Sequence, residues 1–379
     1  MKKSILGIVV LSLALFGCGE KKDTATTSVK TVTVKGDVVA GQAIAEKTCK
    51  ACHGANGGGL APAIPHLAAQ RERYLLASLN EYKTGKRMHA ALRDIVTQMS
   101  DADMRNVAAY FAGLPPIANP LAKDIKHTSP YETGKGLSVE CAKCHGEDGN
   151  AKTPGTPTLA GQQPHYLIAA ILEYHRDDRK VTSMKTIMRD SDRLDLESLA
   201  LYYSAQTPTK RAAPTRGDAT SGEPLSAMCG GCHGARGVSV DAATPSLAGQ
   251  DGQYLVNAIK SYRTLRQNWG MQRYVAHLSD QEISDIAAFY AGQAPKAGDQ
   301  IPSSTQELAQ KCNRCHDQDD GAAMAAPKMK GQDKDYLVMA LRAYHDGKRE
   351  STTMHNMSFP YSNAIIDSIA SWYASQPAN

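Results

Sequence analysis

Eight of the nine cysteines in this 379-residue chain fall in four copies of one pattern, Cys-x-x-Cys-His. They are Cys49, Cys52 and His53; Cys141, Cys144 and His145; Cys229, Cys232 and His233; and Cys312, Cys315 and His316. Two cysteines one helical turn apart can each form a thioether with a vinyl group of one porphyrin. The histidine that follows then lies under the iron as its ligand. A disulfide between the two cysteines requires no histidine, least of all four times. A zinc site requires two further ligands at partner spacing, and none recurs. The chemistry implied is covalent attachment of haem, four times over.

Each motif sits in a repeated frame that must position it. The motifs begin at residues 49, 141, 229 and 312, a period that suits one small domain per copy. A polar, glycine-bearing loop follows each motif, as in HGANGGG and HGEDGN. Pro65, Pro157, Pro245 and Pro327 then stand nine residues before Tyr74, Tyr166, Tyr254 and Tyr336. The segments YLLASLNEY, YLIAAILEY, YLVNAIKSY and YLVMALRAY repeat apolar residues at three and four, which predicts a helix in each copy. A second predicted helix closes each copy on paired aromatics: Tyr110-Phe111, Tyr202-Tyr203, Phe289-Tyr290 and Trp372-Tyr373. Ser100 with Asp103 and Ser279 with Glu282 have the spacing of a capping box. Asp192 with Asp195 is a weaker form, and Ser362 lacks the acid. No segment alternates as a strand would.

The chain is 42% hydrophobic and 6% aromatic, lean for one large core, so several small domains built around a non-protein core are expected. The stretch MKKSILGIVVLSLALFGC has Lys2 and Lys3, then an apolar run too short to span a membrane. It has the layout of a secretory signal, and Leu15-Phe16-Gly17-Cys18 resembles a bacterial lipobox in which Cys18 takes the lipid. No other segment is apolar enough to cross a membrane. The expected organisation is a signal peptide at 1–17, a lipidated tether at 18–37, and four all-α domains at 38–114, 130–206, 218–293 and 303–376. Linkers rich in proline, alanine and charge separate the domains.

Short helical domains with this motif near the start and a paired-aromatic helix at the end resemble class I c-type cytochromes. The details YLxxxLxxY, GxR and LSDxE followed by AAxYAG look most like the dihaem cytochrome c4 group and its monohaem relatives. The likeness covers residues 38–376 four times over. The departure from a two-domain group suggests two dihaem pairs in tandem. The resemblance implies that the carbonyls of Pro65, Pro157, Pro245 and Pro327 accept a bond from the ligand histidines. It also implies that Gly41, Gly134 and Gly222 mark the crossing of first and last helices. Thr305 stands at that position in the fourth copy and leaves its crossing open.

The same resemblance identifies the sixth iron ligand. Eight residues before Asp192, Ser279 and Ser362 stand Met184, Met271 and Met354, at the family's axial position. Met188 and Met357 are read as core filler. The first copy has Leu92 there, which cannot ligate. Met88 is the first substitute, with His89, Met99 and an open iron as alternatives. His66, His127, His165, His175, His277, His345 and His355 share no common ligand position and are read as surface or loop residues.

Loss of residues 1–17 removes two lysines and no acid, so a formal charge of +5 becomes +3, no basis for a nucleic-acid partner. Four haems would add eight propionates and take it to about −5 reduced and about −1 oxidised. Basic stretches at Lys83–Arg87 and Arg342–Arg349 read as solvated loops, with docking as the rival role. No triad order, phosphate loop or nucleotide-binding glycine motif is present. The reading is therefore an electron carrier rather than an enzyme: a four-haem wire anchored by lipid on the periplasmic side of a bacterial membrane. Gly19 points to the outer membrane over the inner. The expected donors are a quinol-oxidising complex or dehydrogenase, and the expected acceptors a reductase, an oxidase or a soluble cytochrome. The alternatives are a peroxidase or small-molecule reductase with an open first haem, and a fixed subunit of a larger oxidoreductase.

Overall fold

The helix that carries each cysteine motif and the helix that ends each copy cross, in three copies, where a residue has no side chain. A Cβ on Gly41 would stand 2.0 Å from the backbone oxygen of Asn106, one on Gly134 2.1 Å from that of Ser198, and one on Gly222 2.0 Å from that of Asp285. Only glycine lets backbone lie on backbone this closely. The computed structural model describes residues 35–118, 122–211, 216–266, 268–297, 304–318 and 325–379. Residues 1–34, and with them the expected signal segment and Cys18, lie outside the described residues. Gly36–Asn379 form one compact unit.

The order of helices repeats. In the first copy Val38–Ile44, a π-helical turn Ala45–Cys49 and Lys50–His53 carry the motif. Glu72–Thr84, the short Ala90–Thr97 and the closing Asp101–Gly113 follow. The second copy runs Pro130–Leu137, Val139–His145, Pro164–His175, Thr182–Met188 and Arg193–Ser204. The third runs Ala219–Leu225, Ala227–His233, Gly252–Ser261, Trp269–Val275 and Asp280–Gly292. The fourth has one unbroken helix, Thr305–His316, then Lys334–His345, Thr352–Ser358 and Asn363–Ser375. The fold is all-α. Among the described residues the only β pairing outside helices is an isolated antiparallel bridge between Arg87 and Arg349.

Local chemistry starts the helices where the sequence marks them. Ser100 with Asp103 and Ser279 with Glu282 close full capping boxes, and Ser129 with Glu132 adds one that the sequence reading passed over. Asp192 and Ser362 cap the other two closing helices from one side only. Both aromatics of each pair are buried, except Tyr202, which is half-buried. The hydroxyls of Tyr203, Tyr290 and Tyr373 donate to the backbone oxygens of Ser138, Ser226 and Ala309, tying the closing helix to the motif helix. Gly149 and Gly237 lie flat on those rings, where a Cβ would come within 2.7 and 2.6 Å of the tyrosine Cδ1.

The fourth copy keeps its crossing without a glycine. Thr305 is buried there, and its hydroxyl lies 2.9 Å from that of Ser368 on the closing helix. The same hydroxyl donates to the backbone oxygen of His127 in the second copy, at 2.8 Å.

Pairing of the copies is nested, not consecutive. The first copy docks on the fourth and the second on the third, so the expectation of two tandem pairs is corrected. The two pairs meet through the second and fourth copies. There the buried Glu197 accepts from Asn363 Nδ2 at 3.1 Å and from the Ala364 N–H at 3.0 Å. The contacts between copies therefore run in the order first, fourth, second, third.

Candidate haem sites

Each motif helix ends on a histidine whose ring is already fixed. Nδ1 of His53 lies 3.1 Å from the Pro65 oxygen, His145 2.9 Å from Pro157, His233 2.8 Å from Pro245 and His316 2.8 Å from Pro327. A carbonyl can only accept, so Nδ1 carries the proton and donates, and Nε2 keeps its lone pair. Burial holds all four imidazoles below their ordinary pKa, against the opposing pull of the proline carbonyl. A neutral ring with a free Nε2 is the form that binds a metal.

None of the eight motif cysteines is held in a disulfide. Burial pushes the Cys49 and Cys312 thiols up to about 11 and raises Cys141 and Cys229 as well.

The short helix of each copy sets one register. Leu92, Met184, Met271 and Met354 are each its third residue. In three copies the N-cap side chain accepts the N–H of that residue: His89 Nδ1 from Leu92 at 3.3 Å, Asn268 from Met271 at 3.1 Å, Ser351 from Met354 at 3.3 Å. Four residues on, Val96, Met188, Val275 and Ser358 are all buried. Met188 is therefore the core member of this register, and Met184, four residues earlier, is half-buried.

In the first copy Met88, the expected substitute, is 75% exposed and precedes the cap. That is unlike the half-buried Met184, Met271 and Met354. His89 is spent as the cap, its ring edge-on to Tyr82 with centroids 6.2 Å apart. Met99 is buried in the core with Val96 and Met104.

Between the second and third copies lies one cavity of about 1230 Å³. Cys141, Cys144, His145 and Met184 line it from one side, and Cys229, Cys232, His233 and Met271 from the other. A site for one drug-sized molecule measures about 300–1,000 Å³, so this space fits two large planar groups. At its rim Arg179 lies over the rings of Tyr166 and Tyr174, and Arg266 over that of Tyr262. The first and fourth copies repeat this with Arg87, Arg349, Tyr74 and Tyr336. The two tyrosine hydroxyls are 3.3 Å apart, and Arg349 donates to Tyr74 at 3.1 Å. Burial resists ionisation of Tyr74, yet Arg349 and Arg87 hold its hydroxyl down to about 8. Both arginines are buried, with Nε lacking any partner. Arg87 pairs with Glu81 at 2.7 Å through Nη2, so what each arginine still lacks is an acceptor at Nε. The propionates of a haem meet that demand, so the residues fit the group. The two basic stretches read as solvated loops thus each send an arginine into a pair interface.

Sequence reasoning missed the residues that join the pairs. Gln70, Gln162, Gln250 and Gln332, all buried, stand five residues after each proline, a recurrence visible in the chain. Each binds the residue that follows the partner copy's proline. Gln332 accepts the His66 N–H at 2.6 Å and donates to its oxygen at 2.9 Å, and Gln162 treats Ser246 the same way at 2.7 and 2.8 Å. His66 and His127 lie in loops and His175 is exposed, as the sequence reading has it, while His355 is half-buried on a helix; all four make fixed contacts. The backbones of the first two bind other copies, and the rings of the last two lie 2.7 and 2.8 Å from the Met188 and Tyr344 oxygens.

Comparison with known proteins matches this geometry. A family model described as "Cytochrome c" matches residues 38–115, and one described as "Cytochrome C oxidase, cbb3-type, subunit III" matches residues 217–289. Cytochrome c4 of Pseudomonas aeruginosa is 33% identical over 177 residues, which cover 44% of this chain and 87% of that protein. A thiosulfate dehydrogenase electron acceptor of Stutzerimonas stutzeri is 29% identical over 177 residues, covering 42% of this chain and 79% of the relative. Among solved structures, reduced cytochrome c4 from Pseudomonas stutzeri aligns with a TM-score of 0.41 at 30% identity, over 44% of this chain and 100% of that one. With the repeated motif, the fixed histidines and these relatives together, the chain belongs to the cytochrome c4 family, class I c-type cytochromes that hold haem c covalently and carry electrons.

Proposed function

We propose that the chain is a tetrahaem electron carrier, one haem c to each copy, working as two docked pairs. The observation that carries the proposal is the fourfold histidine–proline bond beside a cysteine pair. Cys49 and Cys52, Cys141 and Cys144, Cys229 and Cys232, and Cys312 and Cys315 form the thioethers. His53, His145, His233 and His316 bind iron through Nε2, and the proline oxygens hold the rings in place. Met184, Met271 and Met354 supply a thioether sulfur from the other side. Haem provides a one-electron couple, which the sulfur ligand biases toward the reduced state. The paired arginines and tyrosines neutralise propionate charge where two copies meet.

The order of contacts makes the first and third copies the two ends of the row, and these are the natural points of exchange with partners. One relative is named as an electron acceptor of thiosulfate dehydrogenase, which supports a soluble-facing role between a dehydrogenase and a downstream oxidase, reductase or cytochrome. A quinol-oxidising complex is the other candidate donor. Docking is weak and brief, as is usual for electron-transfer encounters. A lipid on Cys18 anchors the protein at the periplasmic side of the membrane, and Gly19 favours the outer membrane.

Haem content tests the reading. An alkaline pyridine assay on the purified chain is expected to give about four haems per polypeptide, and a redox titration four one-electron steps. Fewer haems would overturn it. Cys18→Ala should move the protein from the membrane fraction to the soluble periplasm.

A further inference from the structure

We infer that the first copy is a binding site for a small neutral diatomic molecule, because its iron receives no sixth ligand from the chain. The inference rests on the tetrahaem reading. Its basis is that the register of the short helix is locked at both ends. The His89 ring accepts the Leu92 N–H at 3.3 Å, as Asn268 and Ser351 accept those of Met271 and Met354. Val96 fills the core position that Val275 and Ser358 fill in their copies. A shift of one residue would empty that core position and break the cap. The ligand register is therefore held by Leu92, which has neither sulfur nor nitrogen to offer.

No other residue of the loop replaces it. Met88 lies before the cap and faces solvent. His89 cannot both cap the helix through Nδ1 and turn into the site while its ring stands against Tyr82. Met99 is buried with Val96 and Met104 in the core, and its oxygen accepts from Lys83 Nζ at 3.0 Å. His66 follows Pro65, whose oxygen lies against the His53 ring, and its backbone is held at both ends by Gln332 of the fourth copy.

The chemistry of Leu92 selects the ligand. A distal group with no hydrogen-bond donor gives no help to a bound anion or to a polarised oxygen molecule. It leaves an apolar space beside a reduced, electron-rich iron, which favours ligands that accept electron density without charge, such as carbon monoxide and nitric oxide. The first copy also stands at one end of the row, docked to the fourth copy, so bound ligand would take one terminal haem out of exchange and leave the other three connected.

Carbon monoxide titration of the full chain, reduced with dithionite, tests this. About one equivalent per chain should bind, shifting about a quarter of the main haem absorbance. Leu92→Met should abolish the shift and bring the first haem to the low-spin, sulfur-ligated spectrum of the other three. Met88→Leu should leave the titration unchanged. The inference is overturned if the wild-type chain carries four haems and ignores the gas, if Met88→Leu creates a binding site that was not there before, or if binding persists unchanged in Leu92→Met. A chain with only three haems would instead overturn the tetrahaem reading, and the haem assay separates that outcome from the others.

Discussion

Gln250 of the third copy holds both backbone polar groups of Thr158 of the second. Its Oε1 accepts the Thr158 N–H at 2.7 Å and its Nε2 donates to the Thr158 oxygen at 2.9 Å. Thr158 follows Pro157, whose own oxygen takes the proton of His145. One short stretch of backbone therefore serves both docking and the setting of an iron ligand. Gln250→Ala would leave two buried backbone groups of Thr158 unpaired. The expected cost is about 1–3 kcal/mol, seen as a lower melting temperature. Redox titration should show altered potentials for the second and third haems, with the first and fourth unaffected.

The methionine register makes a sharp contrast between two residues four apart. Met184→Ala should remove the low-spin, sulfur-ligated signature of one haem in four, measured by electron paramagnetic resonance of the oxidised protein. Met188→Leu changes only a core contact and should cost less than about 1.5 kcal/mol with the spectrum intact. Met271→Ala and Met354→Ala should behave as Met184→Ala does. If the two outcomes at 184 and 188 are exchanged, the register of the second copy is wrong.

The helix crossings allow no side chain. At Gly134 an added methyl would sit 2.1 Å from the Ser198 oxygen and 2.8 Å from Cβ of Tyr202. Gly134→Ala should therefore force the two helices apart, at a cost of about 3 kcal/mol or more. The check is the haem content and thermal melting of the purified variant, which should show the second copy selectively lost. Gly136, two residues on, meets nothing within 4 Å, and Gly136→Ala should leave both measurements unchanged.

The capping boxes give the protein an acid-side weakness of defined sign. The Ser100 hydroxyl and then its N–H hold the Asp103 carboxyl below its ordinary pKa, and the Ser279 N–H and then its hydroxyl do the same for Glu282. A carboxylate depressed by folding adds stability above its unfolded pKa, and that stability is lost as pH falls through the folded value. Glu282→Ala should therefore lower the melting temperature by a few degrees at neutral pH, and the gap to wild type should narrow below about pH 4. A gap that is unchanged down to pH 3 would show that the cap is not acting through Glu282.

What the sequence made legible was whatever repeats locally. The cysteine motif, the proline nine residues before each tyrosine, the caps and the closing aromatics all lie within one domain at fixed spacing, so four copies reinforce one another. The all-α architecture follows from those signals. The pairing of copies was not legible in the same way. It is made by glutamine side chains bound to backbone and by arginines facing tyrosines, and polar contacts of that kind leave no apolar periodicity to read. Gln70, Gln162, Gln250 and Gln332 recur as faithfully as the prolines, but nothing in the spacing says which copy each one grips. The first-copy ligand was legible only as a set of alternatives, because Met88 lies outside the short helix that carries Leu92. The cap at His89 fixes the start of that helix one residue too late to include it.

The nested docking also bears on how the molecule comes to be made. The second and third copies are neighbours in the chain and can close on each other before the fourth has emerged from the ribosome or the translocon. The first copy, made earliest, has its partner in the segment made last, more than 200 residues away, as the 258-residue span between Gln70 and Lys328 measures. Until that segment arrives, Gln70, Arg71, Tyr74 and Arg87 have no surface to cover them. A nascent chain of this kind exposes one unfinished face until its last copy is made, and a copy of the first domain cut free of the fourth would keep that face bare.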